Sequence, residues 1–419
     1  MHEFEKSKSK RNASFVVVGH VDAGKSTLMG RLLLDLKEVD DRTIDRYRKE
    51  AASMGKSSFA LAWVLDQGSE ERSRGVTIDI ATNRFETEHT LFTILDAPGH
   101  RDFIPNMIAG ASQADFAILV IDAGTGAFES GLKGQTKEHS LLIRSMGVSR
   151  IIIAVNKLDS VGWSKERFDE ISNQISAFLV TTGFQAKNLT FVPVSGLLGD
   201  NLVNKSTNTA AAWYTGSTLV EELEKSEPLT RALDKPLRLM VSEIYKTTLS
   251  PITISGRIDA GSLQVGDAVV VQPSGEKGYV KHLELDSEMV DWAVAGQNIA
   301  IHLTRIDPVH IKIGDIVCSA NDPLEPLDNL TLKVLAFDFL MPMKVDVHRG
   351  RLHASGQIQH MAATLHKTTG ATIKKNPKIV QPGSVARIVL KLGAKAALEK
   401  GQRIVLRSGG NTIAAGLLE

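Results

Sequence analysis

Between residues 12 and 226 short apolar runs alternate with amphipathic stretches. The runs are SFVVVGH, LFTILDAP, FAILVIDA, RIIIAVNK and LTFVPVS. Each is rich in β-branched residues and apolar at successive positions, so both faces must be covered, as in a parallel strand between helices. One intervening stretch is plainly helical. From Ser164, residues Phe168, Ile171, Ile175, Phe178 and Leu179 recur at three- and four-residue spacing and stop before Gly183. ATNRFETEHTLFTILD reads instead as a hairpin, which adds one antiparallel edge strand. The pattern predicts a doubly wound α/β domain.

After the connector EKSEPLTRALDKP the period changes. Residues 235–321 run in short alternating segments, with turns at Ala260-Gly261, Val265-Gly266-Asp267, Ser274-Gly275 and Gly296. No long helical pattern interrupts them, and a small β-barrel is expected. Beyond NDPLEPLDN, residues 329–419 are again β-like, turning at Arg349-Gly350, Asn376-Pro377, Pro382-Gly383 and Gly409-Gly410. Three parts are therefore expected: 12–226, 235–321 and 329–419, with 1–11 as a polar linker.

Composition narrows the class. With 42% apolar and 23% charged residues in 419, the chain has an ordinary globular balance and more length than one core needs. The single cysteine, Cys318, excludes a disulfide framework and points to the cytoplasm. No apolar run approaches the ~18 residues of a membrane helix, so no membrane role is expected. Net charge is only +1, but it is uneven. Residues 329–419 carry fourteen Lys/Arg against four Asp/Glu, a local +10 that leaves −9 for the rest. A polyanion or acidic partner on that side is one reading and a solvated basic face the other.

The chemistry lies in the loops that follow the strands. GHVDAGKST (Gly19, His20, Val21, Asp22, Ala23, Gly24, Lys25, Ser26, Thr27) fits G-x-x-x-x-G-K-[ST], with a strand before it and the helical TLMGRLLLDL after it. Gly24 lets successive N–H groups face phosphate oxygens, Lys25 adds a cation, and the Ser26 hydroxyl suits Mg2+. Asn156-Lys157-Leu158-Asp159 then selects the base. The Asp159 carboxylate can accept from both N–H donors on guanine's edge, a pair that adenine lacks. The Asn156 amide can reach the other edge, and the Lys157 stem can lie over the ring. Ser195-Gly196-Leu197 would bring backbone N–H groups to the guanine oxygen. The nucleotide read from these residues is GTP. Asp96, in DAPG, can hold a water on Mg2+, and the Gly99 N–H can bind the terminal phosphate. Thr77, in RGVT, can complete the Mg2+ shell.

Together GHVDAGKS, RGVT, DAPGH, NKLD and SGL resemble the translational GTPases, in the elongation factor one alpha and release factor three group. The resemblance covers nearly the whole chain and includes AWVLD, GQTKEH and IIIAVNKLDSVGW. It implies a G domain followed by two β-barrels, GTP/GDP exchange, and His100 as the catalytic residue that orients water. It also implies Val21 and Val76 as a hydrophobic gate over His100, and Asp22 as an aid to binding a monovalent cation. Three branches of the group differ in cargo. Met289–Gly296 (MVDWAVAG), Pro193–Leu202 (PVSGLLGDNL), Thr369–Lys378 and Arg407–Gly416 are more similar to the ribosome-rescue branch. That branch delivers the tRNA-shaped factor Pelota to stalled ribosomes, in no-go and non-stop mRNA surveillance. The alternatives are a termination GTPase like release factor three and an aminoacyl-tRNA carrier. KVDVHRGRLHASGQ, within 343–359, fits none of the three, and rescue and release factors usually carry an N-terminal extension that is expected to have been removed here. A monomer is expected, with the basic 329–419 region facing its partner or ribosomal RNA.

If Asp159 reads the base, Asp159→Asn shifts preference from GTP toward xanthosine triphosphate, because the amide donates where guanine needs an acceptor. Competition binding with both nucleotides checks this, and retained guanine selectivity would refute the role.

Overall fold

The computed structural model describes residues 10–53, 60–65, 81–98, 103–133, 135–228, 231–247, 252–285 and 288–419. The chain divides into two compact units, Met1–Leu229 and Thr230–Glu419.

Among the described residues the first unit is built on six strands: β1 (Arg11–Gly19), β2 (Ala81–Glu86), β3 (Thr90–Asp96), β4 (Phe116–Asp122), β5 (Ile151–Asn156) and β6 (Leu189–Pro193). Their order is β2-β3-β1-β4-β5-β6. All pairings are parallel except the β2–β3 hairpin, as the alternation predicts. Its helices are α1 (Lys25–Asp35), α2 (Asp41–Ser53), α3 (Ile104–Ala111), α4 (Ala127–Lys133), α5 (Gln135–Ser145), α6 (Lys165–Thr181) and α7 (Leu219–Glu224). Every residue of β5 is buried, which is why RIIIAVNK reads as continuously apolar. Phe15 stacks on Phe116 at 5.7 Å and Phe85 on Phe92 at 5.1 Å, tying β1–β4 together through ring faces.

Helix α6 shows why these boundaries are readable. The Ser164 hydroxyl accepts the Arg167 N–H at its start. At its end Gly183 takes φ +100°, and the Phe184 N–H reaches back to the Leu179 carbonyl. That is a Schellman closure, and the burial of Leu179 and Phe184 supplies its hydrophobic contact. Phe168, Ile171, Ile175 and Leu179 are buried, while Phe178 is half-exposed at the stripe's margin.

The second unit holds two closed barrels, so the expected fold class stands: a G domain followed by two β-barrels. The first consists of β7 (Arg238–Met240), β8 (Ile252–Ala260), β9 (Ala268–Gln272), β10 (Glu276–Leu285), β11 (Asn298–Thr304) and β12 (Ile316–Ser319). They pair antiparallel around the ring β9-β12-β7-β8-β11-β10 and back to β9. The second consists of β13 (Pro326–Ala336), β14 (Lys344–Arg349), β15 (Leu352–Leu365), β16 (Val385–Ala397), β17 (Arg403–Ser408) and β18 (Asn411–Leu418). Its ring is β14-β17-β18-β13-β16-β15 and back to β14. Closure leaves neither ring with an open edge. One turn shows the glycine requirement plainly: at Gly261 φ is +76°, and a Cβ would lie 2.6 Å from the Leu237 nitrogen and the Lys235 carbonyl.

The barrels are clasped by buried Arg238. Its guanidinium donates to the Leu237 and Asp322 carbonyls and pairs with the Asp322 and Glu399 carboxylates at 3.2 and 3.3 Å. Arg349 of the second barrel pairs with Asp259 of the first at 3.0 Å. Cys318 is buried beside Met240, Ile316, Leu324 and Ala397, and burial pushes its thiol pKa up, consistent with an inert core thiol. Trp63 is buried and the Trp213 indole donates to the Trp163 carbonyl, as packing residues should. Trp292 is 38% exposed. Among the described residues no helix is long and apolar enough to cross a membrane.

Arg238→Ala should cost the barrel unit about 1–3 kcal/mol, since the buried Leu237 carbonyl and the part-buried Asp322 carbonyl lose a donor while Asp322 and Glu399 rehydrate. Urea unfolding of the intact chain checks this. Arg238→Met, which keeps the stem packing, separates the hydrogen-bond part.

Candidate nucleotide-binding site

The parallel strands β1, β3, β4 and β5 all end at the same edge of the sheet, and the loops leaving them converge there. This is where an open α/β sheet binds ligands. Strand β1 ends at Gly19, where a Cβ would lie 2.4 Å from the Val120 carbonyl of β4. The loop turns through Asp22 at φ +64° and Gly24 at φ +88° before α1 begins at Lys25. Gly24 has a second reason to lack a side chain. A Cβ there would strike the Asn156 amide nitrogen at 2.6 Å.

Lys25 is buried, and its Nζ donates to the Gly19 and His20 carbonyls at 3.2 and 3.1 Å. The cation is thus folded over its own loop at the N-terminus of α1, where the helix dipole also favours an anion. The Ser26 hydroxyl donates to Asp96 Oδ2 at 2.8 Å, joining α1 to the end of β3. Asp96 is fully buried. A hydroxyl and a carboxylate placed together form a hard-oxygen donor set that fits Mg2+. Ser26 would hold the ion directly and Asp96 through water, and the bound ion would offset phosphate charge.

The guanine loop is braced by Asn156. Asn156 is 3% exposed, and its amide spans two loops. Nδ2 donates to the Ala23 carbonyl at 2.9 Å, and Oδ1 accepts the Gly196 N–H at 2.8 Å. Asn156 is thus a strut between the phosphate loop and the Ser195-Gly196-Leu197 turn, and its amide keeps a second N–H beyond the one given to Ala23. Ser195 is buried and its hydroxyl accepts the Leu198 N–H, shaping the turn. Leu197 is 53% exposed, and its carbonyl accepts from Arg31 of α1 at 3.1 Å.

Lys157 takes φ +63°, which sends its stem back across the phosphate loop. Its Nζ donates to the Asp22 carbonyl at 2.6 Å and pairs with Asp122 at 2.7 Å. Asp159 follows in the short 3-10 turn Leu158–Val161, half-buried, and among the described residues no side-chain hydrogen bond occupies its carboxylate. Gly99, His100, Val76 and Thr77 lie outside the described residues.

Three participants escaped the sequence reading. Asp122 and Arg31 reach the site from 35 and 166 residues away. His139, of GQTKEH, is fully buried. Burial holds its pKa down to about 3, with the cationic Lys25 and His20 adding to the effect, so it is neutral at physiological pH.

The comparisons agree with this architecture part by part. Residues 10–242 match the elongation factor Tu GTP binding domain, 253–318 match elongation factor Tu domain 2, and 346–419 match the elongation factor Tu C-terminal domain. The chain belongs to the translational GTPases. It is 40% identical over 431 residues to Protein HBS1 of Drosophila melanogaster, an alignment that takes in 100% of the chain. The chain spans 64% of that relative's length. It is 38% identical to the Elongation factor 1 alpha-like protein of Schizosaccharomyces pombe, covering 99% of the chain and 71% of the relative. With Elongation factor 1-alpha of Ignicoccus hospitalis identity is 39%, covering 98% and 96%. Among solved structures, the GTP-bound Ski7 GTPase-like domain of S. cerevisiae aligns with a TM-score of 0.84 over 100% of this chain and 99% of that one. Its 20% identity speaks to the fold alone. The bacterial selenocysteine-specific elongation factor EF-Sec aligns with a TM-score of 0.70 at 25% identity, over 97% of this chain and 58% of that one. Residues 10–242 thus carry the GTP-binding domain of this family.

His139 generates a pH dependence with a definite sign. Its folded pKa lies below the unfolded value near 6.5, so the unfolded state takes up protons first as pH falls. Its contribution is complete above pH 6.5 and shrinks by about 2 kcal/mol between pH 6.5 and 5. Urea unfolding of the nucleotide-free protein across that range should show a shallower decline for His139→Gln than for the natural chain.

Proposed function

We propose that the chain is the GTP-driven carrier of a tRNA-shaped, Pelota-type protein that enters the decoding site of stalled ribosomes, in no-go and non-stop surveillance. The observation that carries this reading is that likeness to Protein HBS1 runs through the G domain and both barrels at 40% identity. The rescue-like segments of the sequence support it, Met289–Gly296 in the first barrel above all.

In the proposed cycle Lys25 and the N–H groups of residues 19–27 hold the phosphates, and Asp159 and Lys157 hold the base. Ser26, Thr77 and Asp96 are the residues to hold Mg2+. Thr77 and the Gly99 N–H tether their segments to the terminal phosphate, and both tethers are lost when that phosphate leaves. His100 orients the attacking water once the ribosome moves it past Val21 and Val76. The relaxed loops then let the cargo go. The place of action is the cytoplasm, the chain works as a monomer, and the basic second barrel faces the cargo or ribosomal RNA.

A second reading has its own support, since identity to the Ignicoccus elongation factor is nearly as high and covers 96% of that protein. One experiment separates them. The chain loaded with a non-hydrolysable GTP analogue is offered a Pelota-type factor, a termination factor and charged tRNA in parallel. Selective capture of the first is expected; tight retention of charged tRNA would replace the proposal with the carrier reading. His100→Ala should keep GTP affinity within a few-fold and lose ribosome-stimulated turnover. Undiminished turnover would remove His100 from the mechanism.

A further inference from the structure

Asp122 ends β4, in a strand that reads as wholly structural. The β4–β5 register places it opposite Asn156, one residue before Lys157. Its two oxygens have separate tasks. Oδ1 accepts the Gly124 N–H at 2.8 Å, which fixes the carboxylate's orientation, and Oδ2 takes the Lys157 ammonium at 2.7 Å. The carboxylate side chain is 16% exposed and the lysine 38%, so the pair is partly shielded from solvent.

Lys157 needs such a partner. Its left-handed backbone, at φ +63°, is costly for a side chain with a Cβ. A lysine stem also has about 2 kcal/mol of rotamer entropy to lose. Between Asp122 and the Asp22 carbonyl the ammonium is held at both sides. The stem between passes over Gly24, with Cε 3.7 Å from where a Cβ would stand. With the Asp22 carbonyl alone, the ammonium has an attractive partner in bulk water and the stem is released.

We propose that Asp122 is a positioning residue for guanine recognition, acting through Lys157 to hold its stem as the shelf for the base. The proposal rests on the assignment of Lys157 to the base. Because the base is common to both nucleotides, loss of Asp122 accelerates GDP and GTP release by similar factors.

The test is release of fluorescent N-methylanthraniloyl-GDP and of its non-hydrolysable GTP counterpart from the full chain, chased with unlabelled GDP. Asp122→Ala should release both about tenfold faster, as expected for an uncompensated, partly shielded charge partner. In a Lys157→Ala background the same substitution should add less than about twofold, the non-additivity of residues that act as one unit. If Asp122→Ala fails to fold, Asp122→Asn decides, since it keeps the shape and an oxygen for Gly124. It should shift both rates in the same direction, by less. Release at the natural rate, or a full acceleration that persists without Lys157, overturns the proposal. A natural chain that does not bind the labelled GDP at all would instead overturn the guanine reading beneath it.

Discussion

A single buried amide couples the two halves of the nucleotide site. Asn156 accepts from the Gly196 N–H and donates to the Ala23 carbonyl, so the turn beside the base and the loop beneath the phosphates share one rigid strut. Burial gives the strut its leverage, because each of those backbone groups would otherwise lack a partner away from water. The strut also dictates its neighbours. Gly24 has no room for a side chain because the amide nitrogen occupies that space. Lys157, the next residue along, inherits a position from which its stem can only lie across the same loop.

The sheet makes such a strut possible. Parallel strands deliver all their C-terminal ends to one edge, and the extreme apolarity of β1, β4 and β5 locks their register between two helical layers. The loops themselves contribute little to stability. They are glycine-bearing, and the hydrogen bonds of Lys25, Asn156 and Lys157 hold them. The barrels answer a different demand. With strands closed into rings and clasped through Arg238, they offer a surface that keeps its shape.

Much of this was legible before any coordinates. The five apolar runs, the β2–β3 hairpin and α6 with its Gly183 terminus are local patterns, set by burial on two faces, a two-residue alternation and a left-handed cap. The phosphate loop was legible for the same reason: its residues are contiguous, and their chemistry depends on a turn they form themselves. Asn156 was found, but its hold on two backbone loops was not, since its type and place permit contact with either the base or the backbone. Asp122 went unread because nothing in FAILVIDA distinguishes a carboxylate aimed at a lysine 35 residues away from one that merely ends a strand.

The sequence by itself determined the element order, the nucleotide loops and the class of fold, because each follows from the period of apolar residues or from a short run of donors and acceptors. Only the tertiary structure decided which loop touches which. The strand order 2-3-1-4-5-6 sets β4 between β1 and β5: the β4–β5 register puts Asp122 within reach of Lys157, and the loop leaving β1 brings Ala23 to Asn156. Those contacts span 35 and 133 residues, and they form when the sheet's buried faces fix the strands, not through any preference of the residues that meet.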